Sequence, residues 1–177
     1  MQLPTLADPE DLALRLGCPV GDGKLLLALN RASGRFRGAV GHPVSLVQSD
    51  TVLLGGDGGA TLLLPAAPVA NVTVKIGGEV IDGVQVSSRS GVLRLDGGWP
   101  DGLDNIEITY DHGFAVIPVD IQDAVLEQAE LQHSVMVAAQ QVTQGGRSVT
   151  FGTQATVGVT QRWQECVDRY RVGADAP

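Results

Sequence analysis

The residues best equipped for chemistry in this chain are few and scattered: three histidines, two cysteines, a short serine cluster and a run of glycines. A zinc site asks for Cys or His ligands at spacings that let them converge on one ion. His42, His112 and His133 are predicted in a loop, at a strand end and on a helix, and none pairs with another at helical spacing. No cysteine lies beside any of them in sequence, so each reads as structural. Ser87, Ser88 and Ser90 surround Arg89 without the strand-turn-helix pattern of an activated nucleophile, and adjacency alone does not let Asp111 orient His112 in a triad. Gly55-Gly56-Asp57-Gly58-Gly59 has the glycine density of a phosphate cradle, but a cradle needs a helix to follow it. A strand-like run follows here, which predicts a hairpin turn. Asp101, Asp104 and Asn105 lack the alternating ligands and closing glutamate of a calcium loop, and read as a plain turn. The reading is of no catalytic residue, no metal ligands and no cofactor: the protein is not an enzyme.

Composition narrows the classes further. The 177 residues are 44% hydrophobic and carry a net charge of −8, so one full core, or a small core plus an insert, is within reach. A negative chain has no general affinity for a phosphate backbone, which disfavours a nucleic-acid reader. The charge is uneven: residues 1–41 hold 5 bases and 4 acids, 42–117 hold 3 and 9, and 118–177 hold 4 and 7. Cys18 and Cys166 are too few for a disulfide framework and read as reduced thiols. No signal-peptide pattern and no stretch of ~18 apolar residues is seen, so a soluble cytoplasmic chain with no membrane partner is expected.

The elements that must carry these residues can be read from period and punctuation. Asp8-Pro9-Glu10-Asp11 combines an N-cap acceptor, a first-turn proline and two carboxylates, which predicts a short helix ending at Gly17. Asp22 caps a second helix to about Phe36, with Leu25, Leu29, Ala32 and Phe36 at helical spacing. From Pro43 to Ile117 short apolar runs alternate with turn clusters: Val44 to Val47, Thr51 to Leu54, Thr61 to Leu64, Val72 to Ile76, Val92 to Leu95 and Ile106 to Tyr110. These predict a meander of antiparallel strands. Pro118 opens the longest helix, to about Gln141, whose apolar surface is broad enough for more than one neighbour. An extended arm from Ser148 to Val159 and a last helix capped by Thr160 complete the chain, with a loose tail after Val172. The fold class is α+β: a small helical bundle formed by residues 1–42 and 118–177, with an antiparallel β-rich subdomain, 43–117, inserted between the second and third helices.

On the last helix Trp163 and Tyr170 either seal the core or anchor a partner chain, since aromatics dominate interface hot spots. Arg162, Arg169 and Arg171 beside them form either a docking face or an ordinary solvated one, with Glu165 and Arg169 as a surface pair.

Several stretches together resemble the head-to-tail connector (adaptor) proteins of tailed bacteriophages. Leu14-Arg15-Leu16-Gly17 before Leu25 to Leu29, then Arg31-Ala32-Ser33 and Arg37 to Gly41, is similar to their opening helical pair. Leu63-Leu64-Pro65-Ala66-Ala67-Pro68-Val69, Val72-Thr73-Val74 and Gly97-Gly98-Trp99-Pro100 resemble their inserted strands. Ile108-Thr109-Tyr110-Asp111-His112-Gly113-Phe114, Ile117-Pro118 and the helix after Asp120 are the most specific part, while the arm from Val142 to Val159 departs from the pattern. The resemblance implies a structural virion protein, made in the host cytoplasm. It implies a homo-oligomeric, dodecameric ring under the portal protein, with a tail or stopper protein below and double-stranded DNA passing through the lumen without specific binding. A ring needs two unlike patches on each subunit. Ile121, Val125, Leu131 and Met136 are the candidate ring interface, and Arg162, Trp163, Arg169, Tyr170 and Arg171 the candidate portal-docking residues. Deleting residues 147–177 is expected to leave a folded chain that no longer joins the portal. The alternative is a β-sandwich carbohydrate-binding or adhesion module, for which only Trp99 and Tyr110 offer aromatic contacts within the insert.

Overall fold

The computed structural model describes residues 3–143 and 158–173, the stretch 136–143 as backbone only. The class is α+β, and the chain divides into two compact units. Residues up to Ala39 with Ile117–Arg169 form a helical unit; Val40–Val116 with Tyr170 and the residues described after it form a β unit.

The helical unit holds α1 (Pro9–Leu16), α2 (Gly23–Val40), α3 (Val119–Thr143) and α4 (Gln161–Tyr170); the last residues of α2 and α4 group with the β unit. The start of α1 is as expected: Asp8 has extended backbone, its carboxylate accepts from the Glu10 N–H at 2.8 Å, and Gly17 closes the helix in the left-handed region at φ 64°. Helix α2 runs past Gly38 to Val40, because a glycine inside a helix costs only about 1 kcal/mol and does not force a stop. The break falls at Gly41, which takes φ 84°. At α4 the Thr160 hydroxyl accepts from the Trp163 N–H at 3.2 Å, the predicted cap. Leu12, Leu25, Ala28, Leu29, Ala32, Phe36, Ile121, Ala124, Val125, Ala129 and Val167 are all buried. On the surface, Arg15 of α1 reaches Asp123 at 2.8 Å and Glu130 at 3.3 Å on α3; half-exposed pairs of this kind orient helices more than they stabilise them.

The β unit holds β1 (Val47–Gly56), β2 (Thr61–Leu63), β3 (Val69–Ile76), β4 (Glu79–Val80), β5 (Gln85–Ser87), β6 (Val92–Arg94) and β7 (Gly102–His112). It is not the expected meander. One sheet has the order β1-β7-β3-β4 and the other β2-β6-β5, so β1 pairs with the last strand of the unit. Ile106 and Ile108 of β7 face Leu54 and Val52 on one side and Ile76 and Val74 on the other. With Leu64, Leu93, Trp99 and Tyr110 they make the core of this unit.

Three local expectations are corrected. The 55–59 segment is not a hairpin turn, since β1 and β2 belong to different sheets. Its glycines serve close approach: a Cβ on Gly56 would lie 2.1 Å from the Pro100 carbonyl oxygen. Of the Val44 to Val47 run only Val47 is in a strand; Val44 has φ 67° and Ser45 makes a lone parallel bridge to Phe114. Asp104 and Asn105 lie in β7 rather than in a turn, where the Asn105 side chain accepts from the Gly56 N–H at 3.1 Å and donates to the Pro100 oxygen at 2.9 Å.

Candidate functional site

Helix α4 resolves the choice between core and partner for its aromatic residue. Trp163 is 3% exposed and meets Phe36 edge-on, with ring centroids 5.2 Å apart and an interplanar angle of 86°. It packs in the helical core with Cys166 and Val167, which leaves little of its ring for a partner, and removal of residues 147–177 is expected to strip part of that core. Burial also pushes the Cys166 thiol up to about 11, leaving it protonated at neutral pH. The arginines are exposed. Arg162 lies 3.5 Å from Glu127, and Arg169 lies 2.9 Å from Asp120, not on Glu165, whose carboxylate accepts from Gln161 instead. Arg171 is exposed just beyond the helix. Tyr170 is half-buried: its ring packs edge-on against Phe114 at 5.8 Å and its carbonyl meets His42 Nε2 at 3.0 Å.

On α3 the four candidate ring residues part company. Ile121 and Val125 are fully buried within the helical unit and offer nothing to a neighbour. Leu131 stays 42% exposed, as does Val135 one turn on, so this apolar surface is open at these two positions. Met136 falls where side chains lie outside the described residues, as do the arm residues 144–157.

The β unit brings together polar groups that the sequence leaves unrelated. The buried His112 ring donates from Nε2 to Asp50 Oδ2 across β1 and β7 at 3.1 Å, and lies 5.1 Å from the Tyr110 ring. Burial, then the Asp50 charge, pushes the Tyr110 hydroxyl up to about 12. Asp111 faces away from this pair, accepting from Asn71 and from the Ser49 N–H at 2.7 Å each; those bonds hold its carboxyl below the usual range. A His112 held by Asp50, with Asp111 turned elsewhere, gives no hydrolytic arrangement. Trp99 and Tyr110 are both buried, which removes the aromatic platform a carbohydrate-binding module would use.

His42 carries a pH consequence. Its Nδ1 accepts from the Val44 N–H at 3.3 Å and its Nε2 faces the Tyr170 carbonyl, a pattern the neutral ring satisfies. Burial, then the charge of His112, holds its pKa below the ordinary 6.5, partly opposed by the Tyr170 carbonyl. The unfolded chain therefore binds the proton first as pH falls, and stability drops below about pH 6.5 and is full above it. Urea unfolding at about pH 7.5 and about pH 5.5 should show this loss, and His42→Gln should make the slope shallower.

One grouping escapes sequence reading altogether. Cys18 and Asp22, in the link between α1 and α2, meet His133 of α3, with one ligand atom from each within 4.8 Å of the others. The distance along the chain hides it, since no local spacing signals such a meeting.

The geometry is of surfaces and packed cores, with no catalytic arrangement among the described residues. A family model described as head completion protein matches residues 14–172. The chain belongs to the head completion protein family. These are structural phage neck proteins, the head-to-tail connector class that the sequence resembles. Among solved structures, a chain in the neck of a native GTA particle, computed with C12 symmetry, is 20% identical over 93% of this chain and 94% of that one, with a TM-score of 0.50. A chain in the neck of an empty GTA particle, computed with C6 symmetry, is likewise 20% identical, with 92% of each chain covered and a TM-score of 0.50. At that identity the likeness concerns the fold. No curated protein matches the chain. Among the described residues of this head completion protein, no helix is long and apolar enough to cross a membrane.

Proposed function

We propose that this head completion protein forms a twelve-membered ring beneath the portal, joins the filled head to a tail or stopper protein, and lets double-stranded DNA pass through its lumen. Membership of the family over residues 14–172 carries the reading. Twelve-fold and six-fold symmetry of the particle necks containing similar chains supports the ring. The net charge of −8 suits a conduit, because a surface that repels phosphate does not retain DNA sliding past it.

Within that reading, the exposed apolar pair Leu131 and Val135 of α3 is one side of the subunit contact, and exposed apolar residues in a ring subunit are covered by the next copy. The arginines Arg162, Arg169 and Arg171 supply the portal contact, steering it through charge more than through buried area. The Arg162 pair with Glu127 and the Arg169 pair with Asp120 lie at the surface and cost little to exchange. The test is a Leu131→Glu, Val135→Glu double variant mixed with portal protein and weighed by native mass spectrometry. Stability should change by less than about 1 kcal/mol, since both residues are exposed, while ring formation on the portal is lost. Full assembly of the double variant would show that this face lies outside the subunit contact.

A further inference from the structure

The meeting of Cys18, Asp22 and His133 lies within the helical unit, and its parts are well held. The left-handed Gly17 turns the chain so that the Cys18 N–H returns to the Ala13 oxygen at 3.2 Å. The Asp22 N–H closes the next turn on the Pro19 oxygen at 3.0 Å. The Asp22 carboxylate then caps α2, accepting from the Lys24 N–H at 2.7 Å and also from the Leu25 N–H, which fixes it at the start of the helix. From α3 comes a second, independent sign. His133 Nε2 is buried with no hydrogen-bond partner, a state that costs about 1–3 kcal/mol unless something coordinates it. The three ligand atoms lie within 4.8 Å of one another, so small side-chain rotations bring them to the separations of a tetrahedral shell.

We propose that Cys18, Asp22 and His133 form a site for a zinc-class divalent cation, with water as the fourth ligand. The donor set is one thiolate, one carboxylate and one imidazole. Calcium and magnesium take oxygen ligands, whereas sulfur and nitrogen donors select zinc and its neighbours. Cys18 also borders an open groove of about 600 Å³ lined by Ala13, Leu14, Gly17 and Pro19, which gives water and the ion a way in. On binding, the Cys18 S–H bond breaks, its proton leaves to solvent and a sulfur-metal bond forms; nothing is oxidised or reduced. The ion ties the α1–α2 link to α3, so its binding adds to the stability of the helical unit. This stands independently of the ring: a chain with no portal partner would still bind the ion.

The test uses the full chain, stripped with a chelator and titrated with zinc chloride in a calorimeter, then with cobalt(II) chloride in a spectrophotometer. Expected are one zinc per chain, a melting temperature that rises with zinc, and a near-ultraviolet thiolate-to-cobalt band. Cys18→Ser should abolish the band, Cys166→Ala should keep it, because that thiol is buried elsewhere in the core, and His133→Gln should weaken zinc at least about tenfold. Absence of stoichiometric zinc binding by the unmodified chain would overturn the proposal. So would binding and a cobalt spectrum that Cys18→Ser and His133→Gln leave unchanged.

Discussion

Trp163→Ala is expected to lower the unfolding free energy by about 3–5 kcal/mol, the range for emptying a large aromatic site in a core. A domain of this size has about 5–15 kcal/mol in all, so the variant sits near the edge of folding. The ring is 3% exposed and stands edge-on to Phe36 at 5.2 Å, a geometry that adds a favourable quadrupole contact to the buried area. Urea unfolding followed by circular dichroism measures the loss. The experiment also separates two roles: a tryptophan acting as an external anchor would leave stability within about 0.5 kcal/mol of the parent while abolishing binding.

Gly113→Ala should be comparably damaging in the β unit, by about 3 kcal/mol or more. Gly113 has φ 86°, where a side chain is strained, and a Cβ there would lie 2.4 Å from the Ser45 oxygen and 2.7 Å from the Val44 oxygen. Both obstacles are backbone, so neither can rotate away. The same corner carries the Gly113 N–H to Pro68 at 2.9 Å, the Phe114 N–H to Val44 at 2.7 Å and the Ser45 to Phe114 bridge, so displacing it breaks several bonds together. Thermal melting and amide exchange of β7 report the effect. A variant melting within a degree or two of the parent would mean that this corner relaxes freely.

Much of the local structure was legible because its causes are local. Asp8, Pro9 and Gly17 announce α1, and Thr160 announces α4, through caps formed within a few residues. The strands β3, β6 and β7 were visible as short apolar runs between turn clusters, but their partners were not. Nothing within the Thr51 to Leu54 run shows that its neighbour is Ile106 to Thr109, because register is set by a core assembled from distant segments. The short β4 and β5 are exposed and carry no apolar run to read.

The surfaces were legible only in part. Spacing placed Ile121, Val125 and Leu131 on one broad apolar helix surface, but not how much of that surface its own unit covers; burial leaves Leu131 and Val135 outside and takes the other two inside. Trp163 and Tyr170 offered the same ambiguity, and Phe36 and Phe114, remote in sequence, resolve it towards packing. Among the described residues Arg162, Arg169 and Arg171 stay exposed. Cys18, Asp22 and His133 were opaque for the reason that hid the strand register: their proximity is a product of the fold.

The central claim, that this head completion protein builds the ring between portal and tail, is most directly tested by electron microscopy of the purified chain mixed with its portal protein. Expected is a second ring of twelve copies stacked coaxially on one face of the portal, with an open lumen wide enough for a DNA duplex. Portal rings that stay bare at saturating chain concentration, or chains bound singly without closing a ring, would contradict it.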